Sequence, residues 1–323
     1  MKRCLAPLFA AVSMCLAVPA HAQSAQYPDR PIRLVVPWAP GGATDVIARI
    51  VGKRLGENLG QPVVIENKGG AGGNIGTASF VREKADGYTL LMTTSSTHGI
   101  NPHLYADPGY DAAKDFSHVA FVGSIPNVLE VPAKSAFQTA QQLLEYGREN
   151  PGKLNYGSAG VGSSQHLAAA QLIRSGNIEI THIPYKGSGP AVADLLGAKI
   201  DFMLDTGSLA QVKAGALRAL AVASDRRLSE LPDVPTFDEV GLKGMYAAAW
   251  YGVAAHAGTP GDVVERLNKE INAIVQEPEI RKQLEGMGVQ VGPLRTPAEL
   301  DKFVLEEIDR FKDLVEMSGA KLE

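Results

Sequence analysis

The chain is predicted to be an α/β protein, and three observations carry that prediction. A strand–loop–helix–strand pattern fills residues 32–65, and that unit builds parallel sheets. Strand and helix patterns then alternate through most of the remaining sequence. The length, 323 residues at 45% hydrophobic and 20% charged, fits a globular protein of about two domains at roughly 150 residues each.

The first unit starts with Ile32 to Val36, a β-branched run suited to a buried strand. Residues 37–45 follow as a turn-rich loop in which Thr44 or Asp45 is placed to cap a helix. Val46, Ile47, Ile50, Val51, Leu55 and Leu59 then recur at helical spacing and mark one apolar face. Val63 to Ile65 is the next strand. Further strands are expected at 88–92, 119–122, 128–131, 154–156, 178–183, 200–204, 217–223 and 250–254. Helices are expected at 139–149, with Thr139 and Gln142 in capping-box spacing, at 165–174 closed by Gly176, and at 190–196. Two long helices end the chain, one from Thr259-Pro-Gly-Asp262 and one from Thr296-Pro-Ala-Glu299, each with Pro just inside a Thr cap.

The N-terminus reads as an address. Lys2 and Arg3 precede an apolar run from Cys4 to Val18, and Ala20-His21-Ala22 has cleavage-site spacing. This is the pattern of a secretory signal peptide over 1–22, with a mature start near Gln23. Its apolar run is shorter than the ~20 residues needed to span a bilayer. Removing it takes away both cysteines, Cys4 and Cys15, and two positive charges. The expected mature chain has 301 residues, a net charge of −6 and no thiol, so disulfides and cysteine nucleophiles are excluded from it. No later segment is apolar enough to insert in a membrane. The acidic balance leaves no broad footprint for nucleic acid.

Ligands in open α/β sheets bind beyond the carboxyl ends of the strands, so the loops there carry the candidate site. The first holds Trp38, Ala39, Gly41, Gly42, Thr44 and Asp45, and the second Ser95 and Ser96. The third holds Gly157, Ser158, Ala159, Gly160, Gly162, Ser163, Ser164 and His166, and the fourth Tyr185 and Lys186. Asp205 follows another strand. In the first and third loops glycines run into a helix start, where free N–H groups favour an anion. The same glycines also serve tight turns. Asp45 either favours the helix dipole or fixes its loop, Lys186 either meets an anion or is solvated, and Asp205 either accepts from a ligand or caps a turn.

Enzyme signatures are missing: no G-x-S-x-G elbow, no H-E-x-x-H and no phosphate-binding G-x-x-x-x-G-K-[ST]. Gly70, Gly72 and Gly76 form only a loose glycine motif. His98, His103, His118, His166, His182 and His256 show no metal-ligand spacing, so no metal and no cofactor are expected. A serine–histidine pair from Ser163 or Ser164 with His166 is the one conceivable hydrolase arrangement.

Six segments together resemble the extracytoplasmic solute receptors of tripartite tricarboxylate transporters, the Bug family. They are residues 27–45, 61–68, 85–91, 154–167, 182–187 and 217–222, in the family's order. The resemblance implies a type II periplasmic-binding-protein fold of two lobes with crossing strands as hinge and a ligand cleft between them. Lobe 1 would combine 23–121 with 225–323, and lobe 2 would be 122–224. It also implies a periplasmic, monomeric receptor for a small carboxylate, working with membrane permease subunits. The first loop would hold one carboxylate and the third loop, with Tyr185 and Lys186, the other end. Residues 204–215 depart from the family's Pro-containing loop, so the ligand does not carry over from any relative. A ligand sensor for a signalling kinase is the alternative use of the same fold.

Overall fold

The computed structural model describes residues 27–318. The expected signal peptide and its cleavage site lie outside the described residues.

Two mixed sheets organise the chain. The first contains β1 (Ile32–Val36), β2 (Val63–Asn67), β3 (Thr89–Thr94), β4 (Phe116–Pro126), β10 (Ala248–His256) and β11 (Gln290–Val291). Its order is β11-β4-β10-β3-β1-β2, with β1 parallel to both neighbours and β10 antiparallel to β3 and β4. The second contains β5 (Val128–Pro132), β6 (Asn155–Ser158), β7 (Thr181–Pro184), β8 (Phe202–Asp205) and β9 (Leu217–Val222), in the order β7-β6-β8-β5-β9.

β1 is a nearly continuous apolar run because both of its faces are covered. Ile32, Leu34 and Val36 pack under α1 (Ala43–Leu59) and α8 (Gly261–Gln276), whereas Val35 faces Phe80 of α2 (Asn74–Phe80). In the second sheet, Leu129, Phe202 and Leu204 pack with α4 (Ala140–Glu149) and α5 (Ser164–Gly176). Met203 on the opposite face meets α6 (Ser188–Leu196). Each sheet therefore has its own core, which gives two lobes.

The chain crosses between the lobes at two points. β4 stays in the first sheet to Pro126, and β5 starts in the second only two residues later. On the return, Phe237 and Met245 still pack in the second core, and β10 rejoins the first sheet at Ala248. The crossings are tied together: Asn127 N–H donates to the Ala247 carbonyl at 2.8 Å, and the Asn127 carbonyl accepts from Ala223 N–H at 2.8 Å. These points lie beyond the expected boundaries at 121/122 and 224/225. One unpaired residue between two strands leaves almost no compositional mark of a crossing.

Several local expectations need correcting. The cap of α1 is Gly42, and Thr44 and Asp45 already lie in the first turn. α5 is closed by Asn177 in the left-handed region (φ 49°) rather than by Gly176. The expected single helix from 259 is two, α8 and α9 (Pro278–Gly286), because Glu277 is extended and Pro278 starts the second. The Thr259 hydroxyl donates to the His256 carbonyl at 2.7 Å and does not cap α8. Thr139 and Thr296 do cap their helices: Thr139 accepts from Gln142 N–H, and Thr296 exchanges hydrogen bonds with Glu299 at the start of α10 (Pro297–Ser318). Helix α2 arises where only a loose glycine motif was visible. Among the described residues no helix is long and apolar enough to cross a membrane.

Candidate functional site

The loops beyond the strand ends meet where the two lobes touch. A cavity of about 30 Å³ lies there, with Trp38, Gly42, Thr44, Thr94, Ser96, Ala249 and Tyr251 on the first lobe's side. Ala159, Ser164, Gln165, Ser188 and Thr206 form the other wall. The N-termini of α1 and α5, helices of 17 and 13 residues, both open onto it. Two positive helix ends converging on one small space create a site for negative charge. A larger groove of about 390 Å³ lies beside the Asn127 crossing, but it is lined mainly by the sides of α5 and α10.

The lobes are in contact around the cavity. Ala39 N–H reaches the Lys186 carbonyl (3.4 Å), Ser164 N–H donates to Ser96 Oγ (3.1 Å), and Thr206 Oγ1 lies 2.9 Å from Tyr251 Oη. Two glycines allow this closeness. A Cβ on Gly189 would run into the Pro40 carbonyl oxygen, and one on Gly187 would sit 2.9 Å from Ala39 N. The first and fourth loops thus meet backbone to backbone.

Asp45 is buried but is not a wall of the cavity. Its Oδ2 accepts from Gly41 N–H (3.0 Å) and Arg49 Nε (3.1 Å), and its Oδ1 from Arg49 Nη2 (2.9 Å) and Asn67 Nδ2 (3.0 Å). Burial works against its charge, but the donors from Arg49, Gly41 and Asn67 prevail and hold the carboxyl below its usual range. The same Asn67 amide donates to the Trp38 carbonyl at 3.0 Å. Asp45 therefore braces the loop that presents Trp38, and Arg49 and Asn67 complete the brace.

In the third loop Ser163 caps α5, accepting from His166 N–H at 3.2 Å. The His166 ring faces elsewhere: its Nδ1 accepts from Gly162 N–H at 3.4 Å, and the ring stacks on His182 at 4.5 Å. Ser164 Oγ donates to Gln165 Oε1 at 3.2 Å. Neither Ser163 Oγ nor Ser164 Oγ is hydrogen-bonded to the His166 ring, so the conceivable hydrolase arrangement of these residues is not assembled. His182 Nε2 pairs with Ser158 Oγ at 2.6 Å. Burial first, then the neighbouring His166, lowers His182 to about 4, and burial lowers His166 as well.

The glycines of this loop mostly serve packing. Gly157 lies against Ile200 and Met203, Gly160 against the Tyr185 carbonyl, and Gly162 under Leu104 and Asn101. The Tyr185 hydroxyl turns away to donate to Asp194 at 2.8 Å, and the Lys186 side chain is exposed. Ser95 is fully buried beside Ser96 with its Oγ unpartnered.

Asp205 lies behind the second lobe's wall. Ser188 Oγ donates to its Oδ1 at 2.5 Å and Gln165 Nε2 to the same oxygen at 3.2 Å. Gln165, Ser188, Thr206, Thr94 and Tyr251 are wall residues that the sequence reading did not single out. Gln165 and Ser188 each adjoin a serine- or glycine-rich helix start, the one signal that pointed toward them.

Among the described residues no cluster of His, Asp and Glu is arranged to hold a metal ion.

Comparison with known proteins agrees with this architecture. Residues 47–320 match the tripartite tricarboxylate transporter family receptor profile, TctC. The solved periplasmic binding protein BugD is 35% identical with a TM-score of 0.88, covering 92% of this chain and 100% of its own. Rpa4515 of R. palustris, solved with adipate, is 34% identical with a TM-score of 0.88 and the same coverage. MatC of Rhodopseudomonas palustris, solved with bound malate, is 32% identical with a TM-score of 0.85, covering 90% of this chain and 100% of its own. With a family match over most of its length and solved relatives of the same two-lobe build, this chain belongs to the tripartite tricarboxylate transporter receptor family.

Proposed function

We propose that this protein is a periplasmic receptor that closes its two lobes on a small carboxylate and delivers it to the membrane permease of a tripartite transporter. The observation that carries the reading is the interlobe cavity onto which the N-termini of α1 and α5 both open. Adipate and malate in two similar receptors support a carboxylate as the solute class. The receptor acts as a monomer, exported by its N-terminal leader and without a catalytic step. The direct contacts are assigned to the first-loop backbone at Gly42 and Thr44, to Trp38 and Ser96, and to Ala159 and Ser164 on the second lobe. Asp45, Ser163 and Asp205 position these groups.

Energetics require both lobes. Micromolar affinity corresponds to about −8 kcal/mol. One helix terminus contributes roughly 0.3–2 kcal/mol, and a charge-assisted hydrogen bond about 1.5–3 kcal/mol. Association costs roughly 4–15 kcal/mol. One loop cannot reach the total, so closure is part of binding and the solute drives it.

A thermal-shift screen of mono- and dicarboxylates, aromatic acids and amino acids tests the reading. A solute at 100 times its Kd adds about 2.7 kcal/mol to stability, a readily measured rise in Tm. No shift with any carboxylate, alongside a shift with an uncharged or cationic solute, would overturn it.

A further inference from the structure

Beneath the second lobe's wall Asp205 lies beside a second buried acid, Glu130, that the sequence motifs do not mark. Glu130 on β5 and Asp205 at the end of β8 are 1% and 0% exposed. The Ser208 hydroxyl joins them: it is in hydrogen-bonding contact with Glu130 Oε2 and lies 2.8 Å from Asp205 Oδ2. One hydroxyl has one proton to donate. The second of its two carboxyl contacts must therefore be donated by a protonated acid, and the pair holds one proton between its two carboxyls.

The surrounding donors locate that proton. Asp205 accepts from Ser188 Oγ and Gln165 Nε2 on one oxygen, and from Gly207 N–H (2.8 Å) and Ser208 Oγ on the other. Three donors besides Ser208, with both oxygens already accepting, describe an ionised carboxylate, so Ser208 donates to Asp205 and the proton resides on Glu130. Burial first, then the Asp205 charge, raises the Glu130 acid well above its usual range, with the Ser208 contact acting the other way.

This arrangement fixes the hydrogen-bonding polarity of the cavity. Ser188 commits its only hydroxyl proton to Asp205, and Ser164 commits its own to Gln165 Oε1. Both hydroxyls line the cavity and can turn only lone pairs toward a solute. The α1 N-terminus across the cavity presents N–H donors instead. A carboxylate is thus favoured at the helix ends, and a group that donates a hydrogen bond at the Ser164 and Ser188 hydroxyl oxygens.

We propose that the Asp205 carboxylate, held ionised by the proton on Glu130, selects the solute through Ser188, so that the receptor prefers carboxylates that also carry a hydroxyl or ammonium group over unsubstituted ones. The inference rests on the carboxylate reading above and narrows it. Asp205 and Glu130 are positioning residues, since neither lines the cavity.

Calorimetry with matched solutes tests it: propionate against lactate, succinate against malate and aspartate, and phenylacetate against mandelate. In the wild-type protein the hydroxyl- or ammonium-bearing member of the recognised set binds about ten- to a hundredfold more tightly. Ser188→Ala brings that ratio close to one. Asp205→Asn does the same or reverses it, because an amide N–H can donate to Ser188 and free its proton for the solute. Glu130→Gln keeps the ratio, since its amide donates to Ser208 as the acid does. A general loss of affinity with the ratio intact in Ser188→Ala would show a merely structural role and overturn the proposal. Equal or tighter binding of the unsubstituted acids to the wild type would also overturn it while leaving the carboxylate reading standing. Absence of binding by every acid tested would instead remove the carboxylate reading and this inference with it.

Discussion

The Asp45 carboxylate and the Asn67 side-chain amide are joined by a 3.0 Å hydrogen bond, and the same amide holds the Trp38 carbonyl at 3.0 Å. Through this link the start of α1 and the end of β2 set the loop that forms the first lobe's side of the cavity. The loop's shape is thus decided by a carboxylate that does not itself line the cavity.

Asp45→Ala is expected to lower unfolding free energy by about 2–3 kcal/mol, because Gly41 N–H and the Asn67 amide lose a charged acceptor. The Arg49 part of the loss is small, since that guanidinium is half exposed. Urea denaturation reads the stability change, and calorimetry should show weakened solute binding. Unchanged stability and affinity would show that the brace is dispensable.

Gly189→Ala is expected to obstruct closure, because the added methyl meets the Pro40 carbonyl oxygen across the lobe contact. Each lobe keeps its own core, so thermal stability of the unliganded protein changes little. Affinity should fall at least about tenfold, the equivalent of 1.4 kcal/mol. Small-angle scattering checks the cause: the wild-type radius of gyration falls on adding solute and the variant's does not. Equal compaction in both would sink the closure argument.

Acid should destabilise the protein through its buried His98 and half-buried His166 and His182. His182 is lowered to about 4, His166 is lowered too, and burial keeps His98 well below its ordinary value. In the unfolded chain these imidazoles titrate near 6.5. Between those values the unfolded state binds more protons, so stability is present above about 6.5 and is lost as pH falls toward 4. His182→Phe, which keeps a ring in the His166–Tyr156 stack, should flatten the fall in Tm over that window. Identical pH profiles for variant and wild type would contradict the assignment.

Glu130 acts with the opposite sign. Its acid form is favoured in the folded protein, so the native state binds more protons above the usual glutamate range, and stability declines as pH rises. Glu130→Gln removes that titration while retaining a donor to Ser208. The Tm difference between Glu130→Gln and the wild type should move in the variant's favour as pH rises above the usual glutamate range, and a difference that does not change with pH would refute the protonated state.

Much of this was legible from residues alone. The run Ile32–Val36 announced a buried strand, and Thr139 was placed to cap α4, because β-branched preferences and short hydroxyl side chains act within a few residues of chain. Loop position pointed to Trp38, Gly42, Thr44, Ser96, Ala159 and Ser164, all of which line the cavity. Glu130 was not legible. In Val-Leu-Glu-Val it looks like an ordinary half-exposed strand residue, and only burial beneath α6 and Ser208 makes it an acid that keeps its proton.

Local chemistry therefore determined the elements, the glycine-rich loops and the helix starts, since hydrogen bonds between near neighbours and periodic apolar faces set these. The tertiary structure alone decided which loops face one another, where the chain crosses between lobes, and that Glu130, Ser208, Asp205 and Ser188 form one wired group. Those relations join residues far apart in sequence, 78 positions between Glu130 and Ser208 and 147 between Ala39 and Lys186. They arise from strand order and lobe contact, and the sharing of one proton between two acids follows only from the space that encloses both.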